Sequence, residues 1–223
     1  MNPVLAGVAL VVAAGAVIAV SAREARAGLI GLAVTLVIAP FLAEPEPALT
    51  TLAARVVGAA LTAYLLRAAS SKVRDEDRAK VPGAGDDSPA GSRLGWPAEA
   101  AFALTAGIIG ANVAAGMATL VPGGPGFEAG DLAALVAPAA VASAAGFALV
   151  VLGLVPTFTG AGALATTTGA LILFQGVFLV RTGLAGPPGD LEQLAGVALL
   201  VGLGAAGAML MAAESRRPTG VIG

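Results

Sequence analysis

Seven apolar runs, each long enough to cross a bilayer, divide the chain between Asn2 and Ala213, with short polar breaks between them. A helix needs about 20 apolar residues to span the hydrocarbon core, so the pattern predicts an all-α, polytopic membrane helix bundle of seven crossings. Crossing 1 is expected over Pro3 to Val20, ending at Ser21-Ala-Arg-Glu-Ala-Arg26, where Arg23 and Arg26 must leave the hydrocarbon. Crossing 2 runs from Ala27 to Ala43 with Pro40 near its end, and Glu44-Pro45-Glu46-Pro47 stops it, because each proline disfavours helical geometry in the residue before it. Crossing 3 follows from Ala48 to Ala68. Crossing 4 opens behind Trp96-Pro97, where indole suits the headgroup layer and proline suits a first turn, and reaches Val121 ahead of a glycine-rich loop, Pro122 to Gly130. Crossing 5 covers Asp131 to Val155 with Pro138 inside it, crossing 6 Thr159 to Val180, and crossing 7 Leu191 to Ala213.

The character of the chain changes over residues 69–95, where Lys72, Arg74, Asp75, Glu76, Asp77, Arg78, Lys80, Asp86 and Asp87 stand among Gly, Pro and Ser. That composition is expected of a flexible, solvated cytoplasmic linker, and it divides the chain into a three-helix segment, 1–68, and a four-helix segment, 96–223. Ala25-Arg26-Ala27 imitates a signal-peptide cleavage site, yet Met-Asn-Pro carries no side-chain charge and the first apolar run is long, so crossing 1 is expected to be retained.

Composition agrees with the pattern: 57% of residues are hydrophobic and 12% charged, against about 25% charged in a soluble domain, and the mean hydropathy is +0.91. The 223 residues leave no room for a large extramembrane domain. Zero cysteine and zero histidine exclude disulfides, thiolate and imidazole metal sites, cysteine-held clusters, histidine-ligated haem and Ser-His or Cys-His nucleophiles, so no cofactor and no catalytic centre are expected in this chain. A net charge of −2 gives no basis for binding nucleic acid.

The sign of the charge alternates from break to break. With the N-terminus outside, Arg23, Arg26, Arg67, Lys72, Arg74, Arg78, Lys80, Arg93, Arg216 and Arg217 all face the cytoplasm, while Glu44, Glu46, Glu128, Asp131, Asp190 and Glu192 face outward. Because cytoplasmic loops collect Lys and Arg, an N-out, C-in orientation is expected, with Arg181 the sole cation of an outer loop.

Thirty-one glycines smooth the helix surfaces, and spacings such as Gly107, Ala111, Ala115 and Gly204, Ala208, Ala212 predict close helix contacts. Gly202-Leu-Gly-Ala-Ala-Gly207 matches the dinucleotide fingerprint literally, but no strand precedes it and no βαβ unit surrounds it, so close packing is expected there too.

Four polar residues at depth are candidates for a polar path or an intersubunit contact: Arg55, Asn112, Gln175 and Thr167, the last within Thr166-Thr167-Thr168. A charge two turns inside a membrane helix costs on the order of 2.5 to 3.5 kcal/mol unless compensated, so Arg55, about 9 Å from the start of its helix, is either paired at depth or snorkels outward toward Glu44 and Glu46. Amides and hydroxyls in membrane helices also bond helix to helix, which is the structural alternative for the other three. Beyond Glu99 at the mouth of crossing 4, no Asp or Glu lies in the apolar body of any crossing, so a self-contained proton relay has no titrating member.

Ser21-Ala-Arg-Glu-Ala-Arg-Ala-Gly, Phe41-Leu-Ala-Glu-Pro-Glu and Ala53-Ala-Arg-Val-Val-Gly-Ala-Ala-Leu-Thr-Ala-Tyr-Leu-Leu-Arg67 resemble the first half of component E of the hydrogenase-four and formate-hydrogenlyase-type complexes, with the charged linker in the same place. Gly169-Ala-Leu-Ile-Leu-Phe-Gln-Gly-Val-Phe-Leu-Val and Leu194-Ala-Gly-Val-Ala-Leu-Leu-Val-Gly-Leu-Gly-Ala-Ala-Gly resemble its second half, which is similar to subunit K of NADH:quinone oxidoreductase and to the corresponding small component of the multisubunit Na⁺/H⁺ antiporters. The resemblance implies a small subunit of a bacterial or archaeal cytoplasmic membrane, packed in the bilayer beside antiporter-like or complex-I-like subunits and framing a proton or cation path. Subunit K carries carboxylates in its second and third helices, whereas crossings 6 and 7 carry none between Thr159 and Val180 or between Leu194 and Ala213, which moves the expected role from relay to support. An autonomous small-molecule or ion transporter and a membrane scaffold for a soluble partner are the alternative expectations.

Overall fold

The computed structural model describes residues 3–22, 24–43, 49–80, 96–120, 137–160 and 162–216. The described residues form eight helices, α1 (Pro3–Ser21), α2 (Ala25–Ile38), α3 (Pro40–Ala43), α4 (Leu49–Lys80), α5 (Trp96–Leu120), α6 (Pro138–Thr159), α7 (Ala163–Ala185) and α8 (Asp190–Ser215), and no strand. Together α2 and α3 supply one span, Ala25–Leu42, so the eight helices provide seven spans long and apolar enough to cross a membrane. The chain is an all-helical, multi-pass membrane protein.

Proline decides where one expected helix breaks and where another begins. Crossing 2 does not run unbroken to Ala43: α2 stops at Ile38, its last turn closed by the Ala39 N–H donating to the Thr35 carbonyl at 2.9 Å, and Pro40 opens α3. Pro40 has no N–H to continue the ladder, and its ring crowds the carbonyl four residues back. In crossing 5, Pro138 lies not inside the helix but at its first position, where an N–H is not needed; the proline inside α6 is Pro156. The expected start at Asp131 and the loop Pro122 to Gly130 lie outside the described residues.

The boundary expected at Ala68 also moves. α4 continues without a break to Lys80, so residues 69–80 are helix rather than flexible linker, and residues 81–95 lie outside the described residues. Lys72, Glu76 and Lys80 are spaced four apart with alternating charge, and the stretch is free of Gly and Pro, which favours helix even in water. Its 32 residues make α4 about 48 Å long, against roughly 30 Å of hydrocarbon, so its charged end extends beyond the apolar layer.

Lipid tails are as apolar as leucine, so the helices associate by close van der Waals packing, and glycine sets how close. On α6 and α7 the contact is backbone to backbone: a Cβ on Gly153 would lie 2.7 Å from the Gly169 carbonyl oxygen, one on Gly176 would lie 2.8 Å from that of Gly146, and one on Gly183 would meet the Ala139 carbonyl oxygen at 2.7 Å. Gly169, Gly176 and Gly183 recur every seven residues, a period that keeps one face of a helix against its neighbour. Similar contacts join α1 to α2 at Gly15 and Gly31 and join α5 to α6 at Gly110. The expected α5 stripe is therefore rotated: Ala103, Ala106, Gly110 and Ala114 are buried, while Gly107, Ala111 and Ala115 are half-buried. On α8 the stripe is Gly204, Gly207 and Met211, with Ala208 and Ala212 at its edge.

The segments before and after residue 81 form one bundle, since α1 lies on α6, α2 on α4, and α4 on α8. Val12, Leu32, Leu36, Leu149, Leu171 and Leu179 fill its centre. Leu10, Ile30, Tyr64, Leu104, Phe158 and Met209 face outward, as a lipid-facing surface requires.

Candidate functional site

The polar centre of the bundle is assembled around Arg55. Gly58, one turn further along α4, faces Val197 of α8 so closely that a Cβ there would lie 2.6 Å from the valine side chain, and Gly204 meets Thr62 in the same way two turns on. These contacts hold α4 and α8 parallel and near each other, which carries the Arg55 guanidinium onto α8. Its Nη2 donates to Gln193 Oε1 at 2.7 Å. Arg55 is 6% exposed and Gln193 3% exposed, so the pair sits well inside the protein.

Gln193 is held by the corner between α7 and α8. Gly186 ends α7 with φ of 88°, a left-handed geometry glycine adopts without strain, and Pro187 and Pro188 keep the helix from resuming. The Gln193 Nε2 donates to the Pro188 carbonyl at 2.9 Å, so that amide's oxygen is left for arginine. Arg181 is tied into the same corner. Its Nη1 donates to the Gly186 carbonyl at 3.0 Å and its Nη2 lies 2.6 Å from Glu192 Oε2. Both partners of that ion pair are about 40% exposed, so it orients the corner more than it stabilises it.

A cavity of about 30 Å³ opens beside this pair, where α2, α3, α4, α7 and α8 meet. Arg55, Gln175 and Gln193 supply its polar wall, and Phe174, Phe178 and Gly196 are among its apolar neighbours. A cavity of this size, with three polar side chains in its wall, has room for one or two waters. The chain's two glutamines, on different helices, both line it.

Of the four candidate residues, the structure brings Arg55 and Gln175 together and leaves the other two apart. Thr167 is buried eight residues before Gln175, about 12 Å along α7; its hydroxyl donates to the Ala163 carbonyl at 2.6 Å and its side chain packs against Gly207. Asn112 is exposed on the outward face of α5, its Nδ2 donating to the Ile108 carbonyl of its own helix at 2.8 Å. Glu44 and Glu46, the snorkelling targets for Arg55, lie outside the described residues, as do Glu128 and Asp131.

Gln193 was not among the expected residues. Beside Asp190 and Glu192 it reads as part of a solvated helix start, yet tracing the buried stripe of α8 back from Met211 through Gly207, Gly204 and Leu200 at steps of three and four leads to it. Two acids at helix ends also have settings that their sequence positions do not show. Glu99, in the first turn of α5, is 1% exposed. Glu214, near the end of α8, accepts the Ala163 N–H at 3.1 Å, so a carboxylate from one helix caps the positive start of another. The described spans contain no carboxylate between these end positions.

The arrangement solvates a buried cation with amides and offers donors to a small cavity. It contains no nucleophile paired with a base, and no group of three acidic side chains among the described residues that would hold a metal ion. Comparison with protein-family profiles, curated proteins and solved structures gives no match to this chain.

Proposed function

We propose that this chain is a non-catalytic subunit of a complex-I-related, proton- or cation-translocating membrane assembly, and that it frames the ion path instead of relaying ions. Its place is a bacterial or archaeal cytoplasmic membrane, N-terminus outside and C-terminus inside, beside larger antiporter-like subunits. The observation that carries the proposal is the chemistry at depth. The polar side chains that line the cavity beside the buried cation are the amides of Gln175 and Gln193, and the acids of the described spans stand only at helix ends. A relay within the chain needs a group that takes up and releases a proton near the middle of the membrane, and none stands there among the described residues. The inward half of the α4, α7 and α8 contact is also tightly packed, with Thr62 against Gly204 and Thr167 against Gly207.

The likeness of the crossing pattern and charge layout to component E supplies the identity of the assembly. The helical extension of α4 past the apolar layer gives a soluble subunit a place to rest, which serves the same role within a complex.

Mild solubilisation from the native membrane, followed by identification of co-purifying chains, tests the proposal. Large antiporter-like membrane subunits are expected to travel with it. The chain reconstituted alone in liposomes is expected to leave proton and sodium gradients intact, and robust flux from it alone would overturn the proposal.

A further inference from the structure

We propose that the cavity between Arg55, Gln175 and Gln193 binds a small monovalent anion of the size and charge of chloride. Gln175 is 5% exposed, lines the cavity, and makes no hydrogen bond among the described residues. A buried amide without a protein partner loses free energy on folding, so such groups as a rule meet a bound water or ion. Its NH₂ supplies two donors, and the guanidinium of Arg55 supplies five, enough to serve Gln193 and the cavity together.

The sign of the ligand follows from the surroundings. Arg55 brings a full positive charge to the wall, and none of the lining residues is acidic. The cavity lies toward the positive starts of α4 and α8, with Gln193 in the first turn of α8, and also against the negative end of α2, so the helix dipoles offset one another and Arg55 sets the sign. The acids of that turn are directed elsewhere: Asp190 is exposed and Glu192 is paired with Arg181. A cation would meet like charge, whereas an anion gains charge-assisted hydrogen bonds in a setting of low dielectric. The volume of about 30 Å³ admits an ion near the size of water.

The test uses the full chain in detergent micelles, with chloride titrated against gluconate at constant ionic strength. Saturable excess broadening of the ³⁵Cl resonance is expected, together with a rise in Tm of about 2–4 °C. Gln175→Glu puts a carboxylate of nearly the same shape beside Arg55 in place of the anion. It is expected to abolish both chloride responses while its Tm in gluconate stays at or above that of the native chain. Gln175→Leu, which removes the donor without adding charge, should raise the chloride concentration for half effect at least tenfold. Absence of excess broadening in the native chain, or equal broadening in Gln175→Glu, would overturn the proposal. Neither outcome depends on which subunits accompany the chain.

Discussion

Arg55 and Gln193 stand 138 residues apart in sequence and 2.7 Å apart in space. Removing the glutamine leaves a buried guanidinium short of an acceptor, while removing the arginine leaves an amide oxygen short of a donor, and both defects vanish when the pair is replaced together. A double-mutant cycle with Arg55→Met and Gln193→Leu is therefore expected to show a coupling of about 1–3 kcal/mol. Unfolding in mixed micelles of increasing sodium dodecyl sulfate measures it, and additive single effects would show the contact to be energetically idle. Arg55 itself stood out in the sequence, because any cation in an apolar run is visible there. Its partner did not, because an amide beside two acids at a helix start looks like an ordinary wet position.

Glycine differs from place to place along the helices, and that difference makes a prediction at the level of the element. At Gly153 and Gly176 a methyl group would collide with the backbone of the facing helix, which cannot move aside without parting α6 from α7. Alanine at either site is expected to destabilise the bundle by about 1–3 kcal/mol. At Gly202 and Gly116 a Cβ would meet nothing within 4 Å, so alanine is expected to be neutral or to stabilise by up to about 1 kcal/mol through helix propensity. Thermal unfolding of the four variants decides the matter, and equal effects at both kinds of site would refute the backbone contact. Gly202 belongs to the glycine pattern that imitates a dinucleotide fingerprint, yet it is exposed, while Gly204 and Gly207 carry the helix contacts.

For the whole molecule, the proposed orientation rests on ten of the chain's twelve cations sharing one side. The chain has no cysteine, so single cysteines report on accessibility without background. A membrane-impermeant maleimide is expected to label Ser71→Cys in inverted vesicles only and Leu191→Cys in right-side-out cells only, since both positions are exposed and the two stand at opposite ends of their helices. The reverse result would invert the proposed topology and move the Arg55 cavity to the cytoplasmic half.

What the sequence determined by itself was the solvent and the number of spans, because about 20 apolar residues in a row have no other stable setting and charged breaks cannot stay in hydrocarbon. Proline also marked where the helices stop, although only the structure placed Pro40 and Pro138 at helix starts. The faces by which helices meet were left to the tertiary structure. In water, a buried face differs from an exposed one in polarity; in lipid both are apolar, so the pattern along Gly107, Ala111 and Ala115 could not be told from the true contact at Ala103, Ala106 and Gly110. The same degeneracy hid the cavity. Its walls come from five helices, and only their packing brings the two glutamines and the arginine to one place.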